Sequence, residues 1–572
     1  MVLELNQIYK IIFSLLILSI AIGIRFRLNF SIETIPGVNG GYYALLARNI
    51  LETGQPNYPD NPMIHWMIAG LAGFIRWIAS MPLNDSVILA VKLFDTIVPP
   101  LIVFPLMGIA TGILGSTRKH FWLALPVVAF GTLYLAPVLI FTGDMLKNAT
   151  GMILLTVLVQ QMLLFSRHPG WRGGIGITLS LFLLGLTHFG TLAVGAAFLA
   201  VFAALYLVRR GTRLPALRIA LLATILILLF LVIRWILHDD PDRWSRFLGL
   251  VKDPLRLLED PYLWVLLEGQ RPYRDFLWHN FMFMGILSIT GIGLLLWRIR
   301  RLSEFQKPLF LTIGIMALAL SSPLIGMEWA LRYQLMAWLP VTLLLLVVIY
   351  LYGDHIISYA SSAMAALVVL FSVTVGFQGH RPASVSDASM TELRWIRDSL
   401  SIGRQDLVVA RHGLEWWTGW ELGCRTGKEY CLIARDWSDY RGIYLLGQKT
   451  GNQLPGHQGT GQFAELPLPA GAMPQIEGKQ FILYRLPEPV TGDYYPGELP
   501  TFQGEIVSVK ESEVHIRARG YIQPVRMKRE TLFPGIPPDS LKPGVRADVW
   551  GYGRPFSRVF IANTIRAYPI AN

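Results

Sequence analysis

The chain has 572 residues, of which 53% are hydrophobic and only 15% charged, and its formal net charge is +12. Soluble proteins carry about a quarter charged residues, so this composition excludes an ordinary soluble enzyme and calls for a bilayer. Nucleic acid is excluded as a partner, because the basic residues cluster in short gaps between apolar runs, at Arg118-Lys119, Arg167 to Arg172, Arg209-Arg210-Arg213 and Arg298-Arg300-Arg301. That placement marks cytoplasmic loops.

A helix of about 20 apolar residues crosses the hydrocarbon layer with every backbone group paired. The strict alternation of an outer-membrane barrel is absent. In chain order the hydropathy predicts spans at 8–24, 86–115, 121–141, 149–166, 174–189, 191–208, 216–236, 281–297, 308–325, 333–352 and 356–377. With Lys10 in the cytoplasm, every basic cluster falls on that side and the C-terminal third lies outside. The first run is read as an uncleaved anchor, since Arg25 and Arg27 follow it rather than a small-residue cleavage site. The stretch 62–79 is apolar but carries His65 and Arg76. Counting it as a span would invert all later loops, so it is read as a juxtamembrane helix in the outer interface.

The predicted architecture is a polytopic α-helical membrane protein of about 11 spans over 1–377, with outer loops at 25–85, 141–148 and 237–280. An extracytoplasmic α/β module follows over 378–490, with a helix in "MTELRWIRDSLS" and a strand, turn and helix start in "DLVVARHGLEWWTGW". A Pro/Gly-rich linker leads to a small β-barrel over 500–572, where short alternating stretches are separated by turn residues. The turn from Leu541 to Gly551 resembles that of small extracytoplasmic β-barrel domains. The two cysteines, Cys424 and Cys431, lie in the external module, and a disulfide closing that short loop is expected. A metal site there would need further ligands nearby, and none is evident.

Ionisable groups at span ends carry the chemical information. Asp144, in "FTGDMLKNATGM", is either a general base or metal ligand with Lys147 on a phosphate, or a helix cap beside a solvated lysine. Lys92 either pairs with Asp95 three residues on or neutralises a phosphate. His188 ends the fifth span, as a structural residue or a functional one. Arg332 either pairs with Glu328 or holds a lipid phosphate. Under this topology Asn39, Asp144, His188 and Arg332 share the outer face, with Lys92 close to it. The turn "PGVNGG" at 36–41 precedes an amphipathic helix carrying Tyr42 and Tyr43. Its glycines would let backbone approach a bulky ligand closely.

This order of parts resembles the GT-C superfamily of membrane glycosyltransferases, which includes protein mannosyltransferases, oligosaccharyltransferase catalytic subunits and aminoarabinose transferases. The features that carry the resemblance are the Tyr-Tyr helix, the apolar helix after Asn61-Pro62, "GDMLKN" between spans three and four, "THFGT" after span five and "RYQLMAWLP" opening a late span. It covers residues 1–485. The resemblance implies a multi-pass plasma (inner) membrane enzyme that transfers a sugar from a polyprenyl-phosphate donor to an extracytoplasmic glycan, lipid or protein acceptor. By position it makes Asp144 the catalytic acid residue of the second outer loop. Lys92, Lys147 and Arg332 surround the donor phosphate, and Tyr42, Tyr43, His65 and His188 position substrate. A divalent metal is left open. The family's first-loop acid is replaced here by Asn39, which cannot be a base, so Asp144 or one of Glu33, Glu52 and Asp60 must serve. The alternative is a non-catalytic scaffold or lipid-binding subunit of the same fold.

Overall fold

The computed structural model describes residues 5–210, 253–268, 275–427, 440–449, 472–486 and 501–568, apart from 59, 116–117, 169, 305, 519–520, 535–536, 538 and 540. The helices before the gap are α1 (Leu5–Phe30), α2 (Gly40–Thr53), α3 (Met63–Ala79), α4 (Leu83–Ile97), α5 (Val103–Leu114), α6 (Arg118–Leu133), α7 (Leu135–Phe141), α8 (Leu146–Arg167), α9 (Trp171–Thr187) and α10 (Phe189–Arg210). After it come α11 (Tyr262–Leu267), α12 (Asp275–Trp297), α13 (Gln306–Leu320), α14 (Met327–Gln334), α15 (Trp338–Tyr352) and α16 (Ile356–Gln378), then α17 (Asp387–Ser399) and α18 (Leu414–Leu422) of the module.

Among the described residues, eight helical stretches are long and apolar enough to cross a membrane, and α9 and α13 are shorter apolar helices at two further expected spans. The expected span 216–236 lies outside the described residues. The helix α15, "WLPVTLLLLVVIYLY", is apolar all round and accordingly central, with nearly every side chain buried. By contrast α16 exposes Leu367, Leu370 and Phe371 by 61–68%. In water such a face would be a large unsatisfied apolar surface; lipid removes the penalty. The 17-residue α3 buries Ile64, His65, Ile68 and Ala72 along one stripe and exposes Phe74, Trp77 and Ile78 on the other.

One end of the bundle gathers the basic loops. Arg167 donates to Gly112 O, Arg298 to Leu351 O at 3.5 Å, and Gln306 to Tyr350 Oη at 2.8 Å. The opposite end carries the turn 31–39, the loop 142–145 and the exit from α16.

The module's five strands are β1 (Asp406–Val409), β2 (Arg425–Gly427), β3 (Gly442–Gln448), β4 (Met473–Glu477) and β5 (Phe481–Arg485), in the order β2-β1-β3-β5-β4. β1 is parallel to both β2 and β3. The expected Cys424–Cys431 disulfide is not found. Cys424 is a free thiol buried with Val408, Trp420 and Leu422, and Cys431 lies outside the described residues. Burial pushes the Cys424 thiol up to about 12, so it behaves as a small apolar core group.

The expected barrel is present and closed, with strands β6 (Phe502–Lys510), β7 (Glu513–Ala518), β8 (Tyr521–Leu532), β9 (Arg546–Tyr552) and β10 (Phe560–Tyr568). Only the β8–β10 pair is parallel, which is the connectivity of an OB-type barrel. It docks on α11 and the residues that flank it. Trp264 Nε1 donates to Phe556 O at 3.0 Å, and Arg558 pairs with Asp260 at 3.0 Å and Glu268 at 3.2 Å. Burial pushes the Asp260 carboxyl from its ordinary 3.8 up to about 6, against the pull of Arg558. Between about pH 4 and 6 the docked state therefore binds more protons than the released loop. Docking should strengthen as pH falls through that window and weaken as it rises. Hydrogen-exchange protection factors over 254–268 should be higher at pH 5 than at pH 7.5, and the reverse order would refute this reading of Asp260.

Candidate active site

The end of the bundle opposite the basic loops is assembled from three turns. Gly37 (φ +84°) and Gly143 (φ +71°) bring the first two together back to back. A Cβ on Gly37 would lie 3.0 Å from Asp144 Cβ, and one on Gly143 would lie 2.1 Å from Pro36 O. Only glycine tolerates both the left-handed backbone and this approach. The third turn follows α16, with Gly37 N donating to Pro382 O at 3.0 Å.

All three turns converge on Asp144. Its Oδ1 accepts from Asn39 N at 3.0 Å and from Asn39 Nδ2 at 2.6 Å, and its Oδ2 accepts from Arg381 Nη2 at 2.9 Å. The helix-cap reading does not hold, because α8 has no side-chain cap and its N-cap residue is Met145. Asn39 is thus the donor that orients a carboxylate supplied by the next loop.

A second carboxylate lies one step away. Lys147 pairs with Asp60 and donates to Tyr42 Oη at 3.1 Å. Asp60 also meets His65 Nε2 at 3.1 Å and accepts from Asn61 N at 2.8 Å. Tyr43 Oη ties the two halves, donating to Asp144 O at 3.4 Å and accepting from Lys147 N at 3.3 Å. Burial pushes the Tyr43 phenol up to about 12, so it stays a neutral donor. Asn39, Tyr42, Tyr43, His65, Asp144 and Lys147 therefore form one network, joined by Asp60 and Arg381.

Beneath it lies a buried support. Arg25 Nη1 pairs with Asp95 Oδ1 at 2.9 Å, and Asn29 Nδ2 and Gly143 N donate to Asp95 Oδ2 at 3.0 and 2.8 Å. Of the two readings of Lys92, the pair with Asp95 does not form. Lys92 Nζ instead donates to Ile32 O at 2.6 Å and Glu33 O at 2.8 Å, so it lies across the turn 31–39 from Asp144. There it lines a cleft of about 570 Å³ with Glu33, Asp85, Arg394, Arg397 and Glu421.

The remaining expected site residues lie elsewhere. His188 Nδ1 accepts from Thr191 N at 3.2 Å, capping α10. Arg332 is exposed on α14 and bonds to none of Asn39, Asp144, Lys147 or Lys92. Among the described residues, no group of three or more His, Cys, Asp or Glu side chains gathers in a metal-binding arrangement.

Sequence reading missed Arg381, which lies three residues beyond the last span and so at the same face as Asn39 and Asp144. It treated Asp60 only as one of three nearby acids. It also missed the module's part in the site. Trp416 stacks edge-on to Tyr42 at 4.8 Å and lies 5.7 Å from Tyr58.

No protein-family profile and no curated protein sequence matches the chain. Among solved structures it is similar to ArnT from Cupriavidus metallidurans. The crystal structure bound to undecaprenyl phosphate matches with TM-score 0.44 and 11% identity over 84% of this chain and 97% of that one. The apo structure matches with TM-score 0.43 and 13% identity over 82% and 97%.

Proposed function

We propose that this chain is a membrane glycosyltransferase that moves a sugar from a polyprenyl-phosphate donor to an extracytoplasmic acceptor. The observation that carries the reading is the convergence of three outer turns on Asp144, beside a second carboxylate held by Lys147. Asp144 accepts the proton of the acceptor hydroxyl through lone pairs not used by Asn39 and Arg381. The acceptor oxygen bonds to the anomeric carbon, and the bond to phosphate breaks with its electron pair going to the leaving polyprenyl phosphate. Lys147 and Arg381 stabilise that charge as it develops. Lys92, with Arg394 and Arg397 at the neighbouring cleft, offers a second cationic seat for lipid phosphate. Arg332 remains a candidate for the lipid at the same membrane face.

The positive-inside rule, applied to the basic loops at the far end of the bundle, supports a cytoplasmic N-terminus with this site outside. Right-side-out vesicles should therefore glycosylate an impermeant external acceptor, and activity confined to inverted vesicles would refute the orientation.

The position of Asn39 gives a sharper test. Asn39→Asp would put two carboxylates in the place of an amide–carboxylate bond of 2.6 Å. Like charges at that distance raise one carboxyl pKa by about a unit or more. A base needs its ionised form, so the acid limb of the pH–rate profile should move to higher pH. An unmoved limb would separate Asn39 from the reacting carboxylate.

A further inference from the structure

The module carries a second polar cluster that the transfer chemistry above does not use. From β1 the chain passes through α18 to β2 on one side, and β3 then pairs with β1 on the other. Ligands of open α/β sheets settle outside the carboxyl ends of the strands where the order reverses. Residues 410–413 occupy that point here.

Arg411, in this turn, is only 9% exposed. Its Nε and Nη2, the two nitrogens that form the side-on fork of a guanidinium, have no hydrogen-bond partner among the described residues. Neither do Glu415 Oε2 and Trp416 Nε1. Burial lowers the Arg411 pKa to about 10, with Glu415 opposing, so the group stays charged at neutral pH. A buried cation with an unused fork is costly alone and matches the two oxygens of a carboxylate or phosphate.

The surroundings fit a sugar that carries such a group. Glu415 Oε1 meets His412 Nδ1 at 2.8 Å, leaving Oε2 for a hydroxyl, and the neighbouring Trp416 packs edge-on against Tyr42 with ring centroids 4.8 Å apart. The turn abuts the membrane site. Ser384 Oγ donates to Gly413 O at 3.2 Å, and a Cβ on Gly413 would lie 2.8 Å from Val38 Cγ1, next to Asn39. Contacts of Gly41 with Trp417, Leu45 with Gly419 and Arg48 with Trp420 show that α2 and α18 run in the same direction. Both positive N-termini therefore open toward this junction.

We propose that the Arg411 fork, in the turn that leads into α18 and close to Glu415, binds an oxyanion carried by a sugar, either a carboxylate or a phosphate monoester. Its role as the anionic-sugar subsite of the transferase rests on the function proposed above; the binding itself does not. The test uses the full-length protein in lipid nanodiscs, with equilibrium binding and thermal unfolding measured for methyl glucuronide, glucose 1-phosphate and neutral methyl glucoside. No lipid donor is present, so failure of the transfer reading leaves this result untouched.

At least one anionic sugar should bind about tenfold or more tighter than methyl glucoside. Whichever of the two gains identifies carboxylate or phosphate as the ligand. Arg411→Gln should lose the preference, because it removes the fork and the charge together. Arg411→Lys, which keeps the charge but not the fork, should retain only part of it. Equal binding of all three sugars by the unaltered protein would overturn the proposal, as would full preference in either variant. Should Arg411→Gln fail to fold, the unaltered protein and Arg411→Lys decide the matter.

Discussion

Asp144→Asn should leave a folded protein whose transfer rate is lower by about 10²–10⁴-fold, the usual worth of a positioned proton acceptor. The substituted amide is nearly isosteric, so the three turns keep their packing. It cannot take a proton, and one of its ends must present N–H to either Asn39 or Arg381, both of which are donors. The loss should fall on kcat more than on KM, since the proton moves only in the transition state. Measuring both constants alongside the unfolding temperature separates this outcome from simple collapse. Full activity in a folded variant would remove Asp144 from the chemistry.

The second large effect is on stability. Asp95→Ala removes the carboxylate partner of Arg25, which is 5% exposed, and strands Gly143 N, while Asn29 Nδ2 keeps only Thr96 Oγ1. Breaking a buried pair by deleting one member costs about 3–5 kcal/mol, because the other charge remains uncompensated. The double variant Arg25→Met/Asp95→Leu should recover most of that loss, since similar-sized apolar groups need no partner there. Denaturation in detergent micelles measures both. A cost below about 1 kcal/mol for Asp95→Ala would mean that the pair does not support the 142–145 loop.

Much of the fold could be read in the sequence because membrane helices announce themselves locally. Runs such as "WLPVTLLLLVVIYLY" and "IISYASSAMAALVVLFSVTVGFQ" leave few alternatives, and the barrel strands alternate cleanly between short turns. The site was legible only in part. Asn39, Asp144 and Lys147 share a face by span counting alone, and the structure does bring them together. The particular pairings depend on distances across the chain that no local pattern encodes. Lys92 and Asp95 are three residues apart on α4, yet each bonds to a different segment, at Glu33 and at Arg25. Asp144 finds Arg381 237 residues away. Cys424 and Cys431 show the opposite hazard: close spacing suggested a disulfide, whereas the first thiol is free in the module's core.

The amide at Asn39 is the clearest case of a local oddity resolved by a distant contact. As a replacement for an acid it argued against catalysis. As a donor from both its backbone N and its side-chain Nδ2 to Asp144 Oδ1, it holds the remaining carboxylate in place.

The most direct test is turnover by the purified protein in proteoliposomes, with a panel of polyprenyl-phosphate-linked sugars and release of polyprenyl phosphate as the readout. A transferase should release it over time from at least one donor, and Asp144→Asn should abolish the release. Tight binding of polyprenyl phosphate with no release from any donor in the panel would contradict the enzyme and leave a lipid-binding scaffold.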